Sequence, residues 1–113
     1  MSIDITKLEL HDATIELFSV DYDNAEVSVR VSYYPTDNAI SRQPLRLRFE
    51  AVTAVSNTSN LIDTKDNAQA GNVIDFKAYE RDGYQEFFLY LAEGLITIHA
   101  VHVEARNDAY QSD

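Results

Sequence analysis

The sequence predicts an all-β fold, an antiparallel β-sandwich or a strongly curved sheet of about seven or eight strands. Apolar and polar residues alternate over most of the chain, and turn-forming residues separate the alternating runs. Two turn signals in the C-terminal third also specify the same apolar face. The strands are expected near 8–10, 14–22, 26–34, 45–55, 73–81, 84–92 and 95–106.

The last three of these strands predict a C-terminal three-stranded meander. Asp82-Gly83 is a strong signal for a two-residue hairpin turn, and such a turn places Phe76 opposite Leu89. A turn at Glu93-Gly94 places Leu89 opposite Ile98. Both registers put the same residues on one face, so they predict a common core side of this unit.

The N-terminal half predicts a second hairpin, with a turn at Asp23-Asn24 that places Phe18 opposite Val29. Apolar residues of its first strand fall on both faces, which predicts either a bulge near Phe18–Ser19 or cover on both sides. A similar change of phase predicts a bulge around Ala100 in the last strand. Segment 56–71 has room for one short helix.

The expected core consists of the inward positions of these strands. They are Phe18, Val20, Val27, Val29, Val31, Leu45, Leu47, Phe49, Ile74, Phe76, Phe87, Leu89, Leu91, Ile96, Ile98, Val101 and Val103.

Length and composition predict one domain over residues 1–113, with 107–113 expected to be a frayed tail. The chain has no cysteine, so disulfides and thiolate chemistry are excluded. Nineteen acidic residues against nine basic ones give a net charge of −10, which disfavours binding to nucleic acid. This charge favours a basic protein partner, or serves solubility alone. No signal-peptide pattern and no membrane-spanning run occurs, so a cytoplasmic protein without membrane contact is expected.

No motif predicts a catalytic residue, a metal site or a cofactor. The three glycines lie at turns or loop ends and do not form a phosphate-binding loop. His11, His99 and His102 are available for acid–base or metal chemistry. Residues three apart on a regular strand point in opposite directions, but the predicted bulge around Ala100 would bring His99 and His102 to one face. A small hydrolase or metal-dependent enzyme using these three histidines is therefore the alternative to a binding protein.

One group of residues does suggest a function. Tyr79, Phe88 and Tyr90 lie on the outer face of the predicted meander, and His99 lies next to Phe88. Exposed aromatic clusters with polar surroundings often mark interfaces. Three arrangements are open: the first hairpin covers this face, a second copy covers it in a homodimer, or a different protein binds there. A non-enzymatic protein-binding module is the function that the sequence favours.

The string Leu10-His11-Asp12-Ala13, followed by alternating strands and a C-terminal meander, resembles small uncharacterised bacterial all-β proteins. Some similar proteins are grouped with the immunity proteins of polymorphic toxin systems. The resemblance implies a protein that neutralises a toxin by direct contact, and the acidic charge suits a basic toxin. It assigns no functional residue to this chain.

Overall fold

The chain folds into one open antiparallel sheet, as a computed structural model describes for residues 2–108. Its elements are β1 (Ser2–Ile3), β2 (Thr14–Asp21), β3 (Glu26–Tyr33), β4 (Gln43–Asn57), α1 (Leu61–Asp66), β5 (Val73–Glu80), β6 (Gln85–Leu91) and β7 (Gly94–Asn107). Six strands follow the order β2-β3-β4-β7-β6-β5, and β1 pairs with β7 beside this path. The two long strands, β4 and β7, join the β2-β3 half of the sheet to the β5-β6 half.

The all-β prediction is confirmed. The predicted sandwich, the count of seven or eight strands and the separate meander are not confirmed, because the strands belong to one open sheet. The strand expected at 8–10 is wrong: a short 3-10 turn, Ile5–Lys7, precedes this segment, which packs as an arm with Leu10 buried. The short helix is α1, and Asn60 caps it by accepting a hydrogen bond from the Asp63 N–H.

The first hairpin has the predicted register, with Phe18 opposite Val29. Its loop is four residues long rather than two, because Asp21 and Glu26 form the last cross-strand pair before the turn. The Asp21 carboxylate accepts hydrogen bonds from the backbone N–H groups of Asp23 and Asn24, and this closes a four-residue loop. The bulge in β2 lies between Ile15 and Leu17 rather than near Phe18–Ser19.

In the C-terminal third, Phe76 lies opposite Leu89 as predicted, but Leu89 pairs with Ile96 and not with Ile98. The turn consists of residues 92–93, since Leu91 pairs with Gly94. Gly94 is therefore not a turn glycine. A Cβ at this position would lie 2.6 Å from the Ser59 Cα, so the glycine allows the segment before α1 to approach. The shift by two residues keeps the side chains of β6 and of the β7 residues paired with it on their predicted faces.

The long strands change phase together near the middle of the sheet. Phe49 pairs with Val103, and three residues further along β4, Val52 pairs with Ala100. Ala51 has a φ of 53° at this step, a left-handed conformation that is uncommon for a residue with a side chain. In β7, the inward-facing positions therefore change from even to odd residue numbers after Ala100, and the Val101 side chain is 53% exposed.

Two predicted core residues are wrong. Val101 points outward for the reason just given, and Ile74 is exposed because a bulge between Val73 and Asp75 turns it away from the core. The other predicted core residues are buried or pack against the core as partly buried side chains. The core also contains residues outside the predicted set, namely Leu10, Ala13, Tyr33, Val73, Ala100 and Ala105.

The predicted tail is ordered at its start. Asn107 pairs with Leu45, and the backbone N–H of Asp108 donates to the carbonyl of Pro44. β7 therefore extends through Asn107, alongside the N-terminal end of β4. The remainder of the predicted tail, 109–113, lies outside the described residues.

Candidate binding surface

The outer side of the β5-β6 half carries a row of aromatic rings. Phe87 and Leu89 of β6 are buried in the core, so alternation directs Phe88 and Tyr90 to the opposite side. The Tyr79 ring meets the Phe88 ring edge to face, with centroids 5.7 Å apart. The rings of Phe88 and Tyr90 stack at 6.0 Å. We call this surface the aromatic face, and it comprises Tyr79, Phe88 and Tyr90 with Lys77, Glu86, Thr97 and His99 around them.

Polar groups at one end of the aromatic face form a connected cluster. The Arg81 guanidinium lies 5.3 Å from the centre of the Tyr79 ring and 2.9 Å from a Glu86 carboxylate oxygen. The other carboxylate oxygen of Glu86 lies 3.0 Å from the His99 Nε2. The Tyr84 ring packs at 5.2 Å from the His99 ring. The cluster holds the polar rim of the rings in a fixed arrangement.

The ionisation of Glu86 reflects this arrangement. Burial raises the pKa of its carboxyl group, but the hydrogen bonds with Arg81 and His99 outweigh this effect, and the pKa lies below the usual 4.5. Glu86 is therefore an anion held between the Arg81 guanidinium and the His99 ring.

No described strand hairpin lies over the aromatic face. Val27, Val29 and Val31 of β3 belong to the same core cluster as Phe87 and Leu89. The inward side chains of the first hairpin thus face the core, on the side opposite to the rings. Tyr79 is 40% exposed, and Phe88 and Tyr90 are partly exposed. The aromatic face is an open surface of the described chain.

The outer side of the β2-β3 half is a different surface. Cross-strand register places Arg30, Arg46 and Arg106 in one row over β3, β4 and β7. Arg48 in the next row lies 3.0 Å from Glu26 and 3.3 Å from Glu50. Its hydrogen bond to Glu26 raises the pKa of Arg48 above its usual value. We call this surface the charged face, and it comprises Arg30, Arg46, Arg48, Arg106, Glu26, Glu50, His102 and Glu104.

The three histidines contact three different carboxylates. His99 bonds to Glu86, whereas the closest carboxylate contact of His102 is with Glu50 at 3.8 Å. His11 lies in the N-terminal arm, and its Nε2 is 3.6 Å from a carboxylate oxygen of Asp12. Within residues 2–108, no group of three or more side chains of metal-binding type is assembled. The geometry does not bring these residues into one site.

His11 lies at the joint between the N-terminal arm and β5. Its Nδ1 lies 3.0 Å from the carbonyl of Ile74, and this hydrogen bond, with the nearby Asp12 carboxylate, raises the pKa of His11 above 6.5. Leu10 and Ala13 on either side are buried. The Leu10-His11-Asp12-Ala13 string therefore anchors the arm to the sheet.

A cavity of about 450 Å³ lies beside this joint. Arg42 holds one side of the region by donating to the carbonyls of Asp12 and Gln69, and its guanidinium lies 5.1 Å from the centre of the Tyr34 ring. The cavity is lined by Glu9, His11, Asp12, Tyr34, Thr36, Asp37 and Ala39. It contains one of the three candidate histidines and does not bring in a second.

Of the predicted interface residues, Tyr79, Phe88, Tyr90 and His99 are brought together on one surface. The sequence reasoning missed Arg81 and Glu86, which complete the polar rim. A signal was present: Arg81 follows Tyr79 by two residues, and Glu86 precedes Phe88 by two, so alternation puts each on the aromatic side.

Comparison with known proteins identifies a shared fold and no function. No family model matches the chain, and the search of curated proteins finds no match. A solved structure, an uncharacterised protein from Neisseria gonorrhoeae, is similar with a TM-score of 0.59 and 11% sequence identity. The match covers 86% of this chain and 92% of that one. It supports a likeness to an uncharacterised bacterial protein and does not support the grouping with immunity proteins.

A search of the described residues for membrane-spanning helices finds none of the necessary length and hydropathy.

Proposed function

We propose that this chain is a non-enzymatic protein-binding module that contacts its partner through the aromatic face. The observation that carries the proposal is the row of Tyr79, Phe88 and Tyr90, which lies outside the core and has no described element packed over it. Aromatic rings supply a large contact area at low cost in side-chain entropy, and they are enriched at interface hot spots. The Glu86 cluster provides the polar rim that such an interface needs.

The proposed partner is a basic protein. The chain has a net charge of −10, and a field of this sign speeds the approach of a positively charged partner. The aromatic face itself is nearly balanced, since Lys77 and Arg81 lie beside Asp75 and Glu86. Long-range attraction thus comes from the whole molecule, while specificity comes from the rings. Neutralisation of a basic toxin in the cytoplasm is the most specific form of this proposal.

The experiment compares capture by three immobilised proteins, which are the wild type, Phe88→Asp and Tyr22→Asp. Tyr22 is 90% exposed in the β2-β3 loop, so its variant makes the same kind of change away from the aromatic face. Proteins retained from the source cells are identified by mass spectrometry, purified, and measured by titration calorimetry. Circular dichroism checks that each variant is folded.

We expect one basic protein to bind the wild type and Tyr22→Asp with equal affinity. Phe88→Asp should bind it about 30-fold more weakly or worse, which corresponds to a hot-spot loss of at least about 2 kcal/mol. A partner that binds all three proteins equally would show that the aromatic face is not the binding surface. If the wild type retains nothing beyond what Phe88→Asp retains, the proposed function is wrong.

The enzyme alternative requires that two of the histidines converge with a carboxylate. No observation on the described residues favours it, because His11, His99 and His102 contact separate carboxylates.

A further inference from the structure

β5 is the last strand of the sheet path, so within residues 2–108 one of its edges has no partner strand. The hydrogen bond from the Arg81 N–H to the Tyr84 carbonyl sets the alternation of the β5-β6 ladder. In that alternation, the backbone groups of Lys77 and Tyr79 point to β6, and those of Phe76, Ala78 and Glu80 point away from the sheet. The Phe76 N–H agrees with this direction, because it donates to the carboxylate of its own neighbour, Asp75, at 2.8 Å.

The N-terminal part of this edge is occupied. The Asp12 N–H donates to the carbonyl of Val73 at 3.0 Å, and the His11 ring bonds to the carbonyl of Ile74. The joint therefore covers the edge as far as Ile74. The open length of the edge runs over residues 76–80, where Ala78 is exposed and Phe76 is only partly buried. Exposed edges of this kind are templates for pairing with another strand.

We infer that two copies of the chain associate through this edge, with their β5 strands antiparallel and a two-fold axis at Ala78. This inference goes beyond the proposed function and does not depend on the basic partner. In this register, Ala78 pairs with Ala78 of the second copy, and Phe76 pairs with Glu80. A two-fold arrangement is favoured because one surface needs to complement only itself.

The charges of β5 select this register. On the outer side, it places Asp75 opposite Arg81 and Lys77 opposite Tyr79, so that an ion pair and a cation–aromatic contact form twice. Moving the two-fold axis from Ala78 to Lys77 places Lys77 opposite Lys77 of the second copy. Moving the axis to Tyr79 instead places Lys77 opposite Arg81. Both shifts bring like charges together, which destabilises cross-strand pairs.

Larger shifts fail for other reasons. A centre at Phe76 requires the edge at Ile74, which His11 already occupies. A centre at Glu80 places two glutamates opposite each other and leaves little of the strand paired. The centre at Ala78 is the register that uses the open length and avoids like charges.

This pairing adds hydrogen bonds to groups that have none in the ladder. The two Ala78 residues exchange two bonds, and each Glu80 N–H donates to the opposite Phe76 carbonyl. Four bonds thus form without displacing an existing one. The Phe76 N–H can pair across the interface only after it breaks its hydrogen bond to the Asp75 carboxylate. That carboxylate is then available to bind Arg81 of the second copy.

The pairing would also enlarge the aromatic face. The aromatic face lies on three strands, β5, β6 and β7. Three strands about 4.8 Å apart, each with about seven residues rising about 3.3 Å, span roughly 330 Å². Edge pairing joins two copies of the aromatic face into one continuous surface with Tyr79 near the axis.

Sedimentation velocity over a concentration series that extends to high micromolar tests the inference. The wild type should form dimers. Ala78→Pro should be monomeric, because it removes an edge N–H, and an edge strand tolerates proline where that N–H faces solvent. Asp75→Arg and Arg81→Asp should each weaken the dimer roughly tenfold or more, since each places like charges opposite twice. The double variant carrying both changes should regain the dimer.

The outcomes separate this inference from its rivals. Phe88→Asp should remain a dimer, because Phe88 is on the central strand β6 and not at the edge. If Phe88→Asp dissociates the dimer and Ala78→Pro does not, the dimer forms through the aromatic face and the inference is overturned. A monomeric wild type, open-ended assembly, or a double variant without restored pairing would also overturn it. Circular dichroism identifies an unfolded Ala78→Pro, and the charge variants then decide.

Discussion

The charged face and the aromatic face use the same alternation of strands, but their side chains are satisfied in different ways. On the charged face, Arg48 lies between Glu26 and Glu50, and neighbouring strands supply both signs of charge. On the aromatic face, the rings of Tyr79, Phe88 and Tyr90 contact one another and remain partly in water. The charged face is complete within the chain, whereas the aromatic face has apolar area that a partner can cover.

The difference shows why composition alone is a poor guide to where a candidate binding surface lies. The chain is strongly acidic, yet four of its nine basic residues lie together on the charged face, where carboxylates accompany them. Exposed ion pairs contribute little to the free energy of unfolding, because water already solvates both charges. Apolar area in water costs roughly 25 cal/mol per Å². The aromatic face is thus the surface with the larger gain on binding.

The largest expected effect concerns the core that both halves share. Phe49 of β4 is fully buried, and its ring meets that of Phe87 from β6 at 5.0 Å. Phe49→Ala should lower the free energy of unfolding by about 3–5 kcal/mol. Urea unfolding followed by fluorescence and by circular dichroism should show one transition for both probes. Two separate transitions would show that the halves are independent units.

A smaller effect distinguishes the two sides of β6. Phe88→Ala should lower the free energy of unfolding by about 1 kcal/mol, because its ring is partly exposed. Phe87→Ala is the matched control and should cost about 3–5 kcal/mol. Cover by the first hairpin would instead give Phe88 the cost of a core aromatic residue. Equal losses in the two variants would therefore contradict an open aromatic face.

Ion pairs on the charged face should contribute less still. The Arg48 side chain is 43% exposed, so its pair with Glu26 should be worth about 0.2–1 kcal/mol. A double-mutant cycle of Arg48→Gln and Glu26→Gln measures this coupling, and added salt should reduce it. A coupling above about 2 kcal/mol would mean that the charged face stabilises the sheet more than exposed pairs do.

The pH dependence of the aromatic rim should have a defined sign. The pKa of Glu86 is lowered, so its carboxylate stabilises the folded state above the usual pKa of 4.5, and this contribution is lost as the pH falls through the folded value. The difference in stability between the wild type and Glu86→Gln should be constant near neutral pH and shrink in acid. Chemical unfolding at a series of pH values measures it. A difference that grows in acid would contradict the paired state of Glu86.

Much of the local structure could be predicted because alternation and turn chemistry are local. The pairing of Phe18 with Val29 followed from the turn between them, and the grouping of Tyr79, Phe88 and Tyr90 followed from the β5-β6 register. The pairing of β4 with β7 joins residues about fifty positions apart, and no turn signal links them. The open sheet therefore could not be distinguished from a sandwich by local patterns.

The errors have physical causes of the same kind. Turn chemistry predicts a turn residue at Gly94, but the approach of Ser59 accounts for its lack of a side chain. Alternation predicts that Ile74 lies in the core, because the bulge before Asp75 has no signature in the sequence. The polar rim of the aromatic face is not predicted, because Arg81 and Glu86 look like solvated charges until the turn brings them together. Local rules thus predicted the rings and not their polar support.

The central claim is that the aromatic face is open in the free chain and covered by a partner. Hydroxyl-radical footprinting with residue-level mass spectrometry tests it directly, with Phe87 as an internal reference on the same strand. In dilute free protein, Phe88 and Tyr90 should be oxidised and Phe87 protected, and addition of the captured partner should protect Phe88 and Tyr90. If Phe88 and Tyr90 are as protected as Phe87 in the dilute free protein, or if the partner leaves their oxidation unchanged, the account is contradicted.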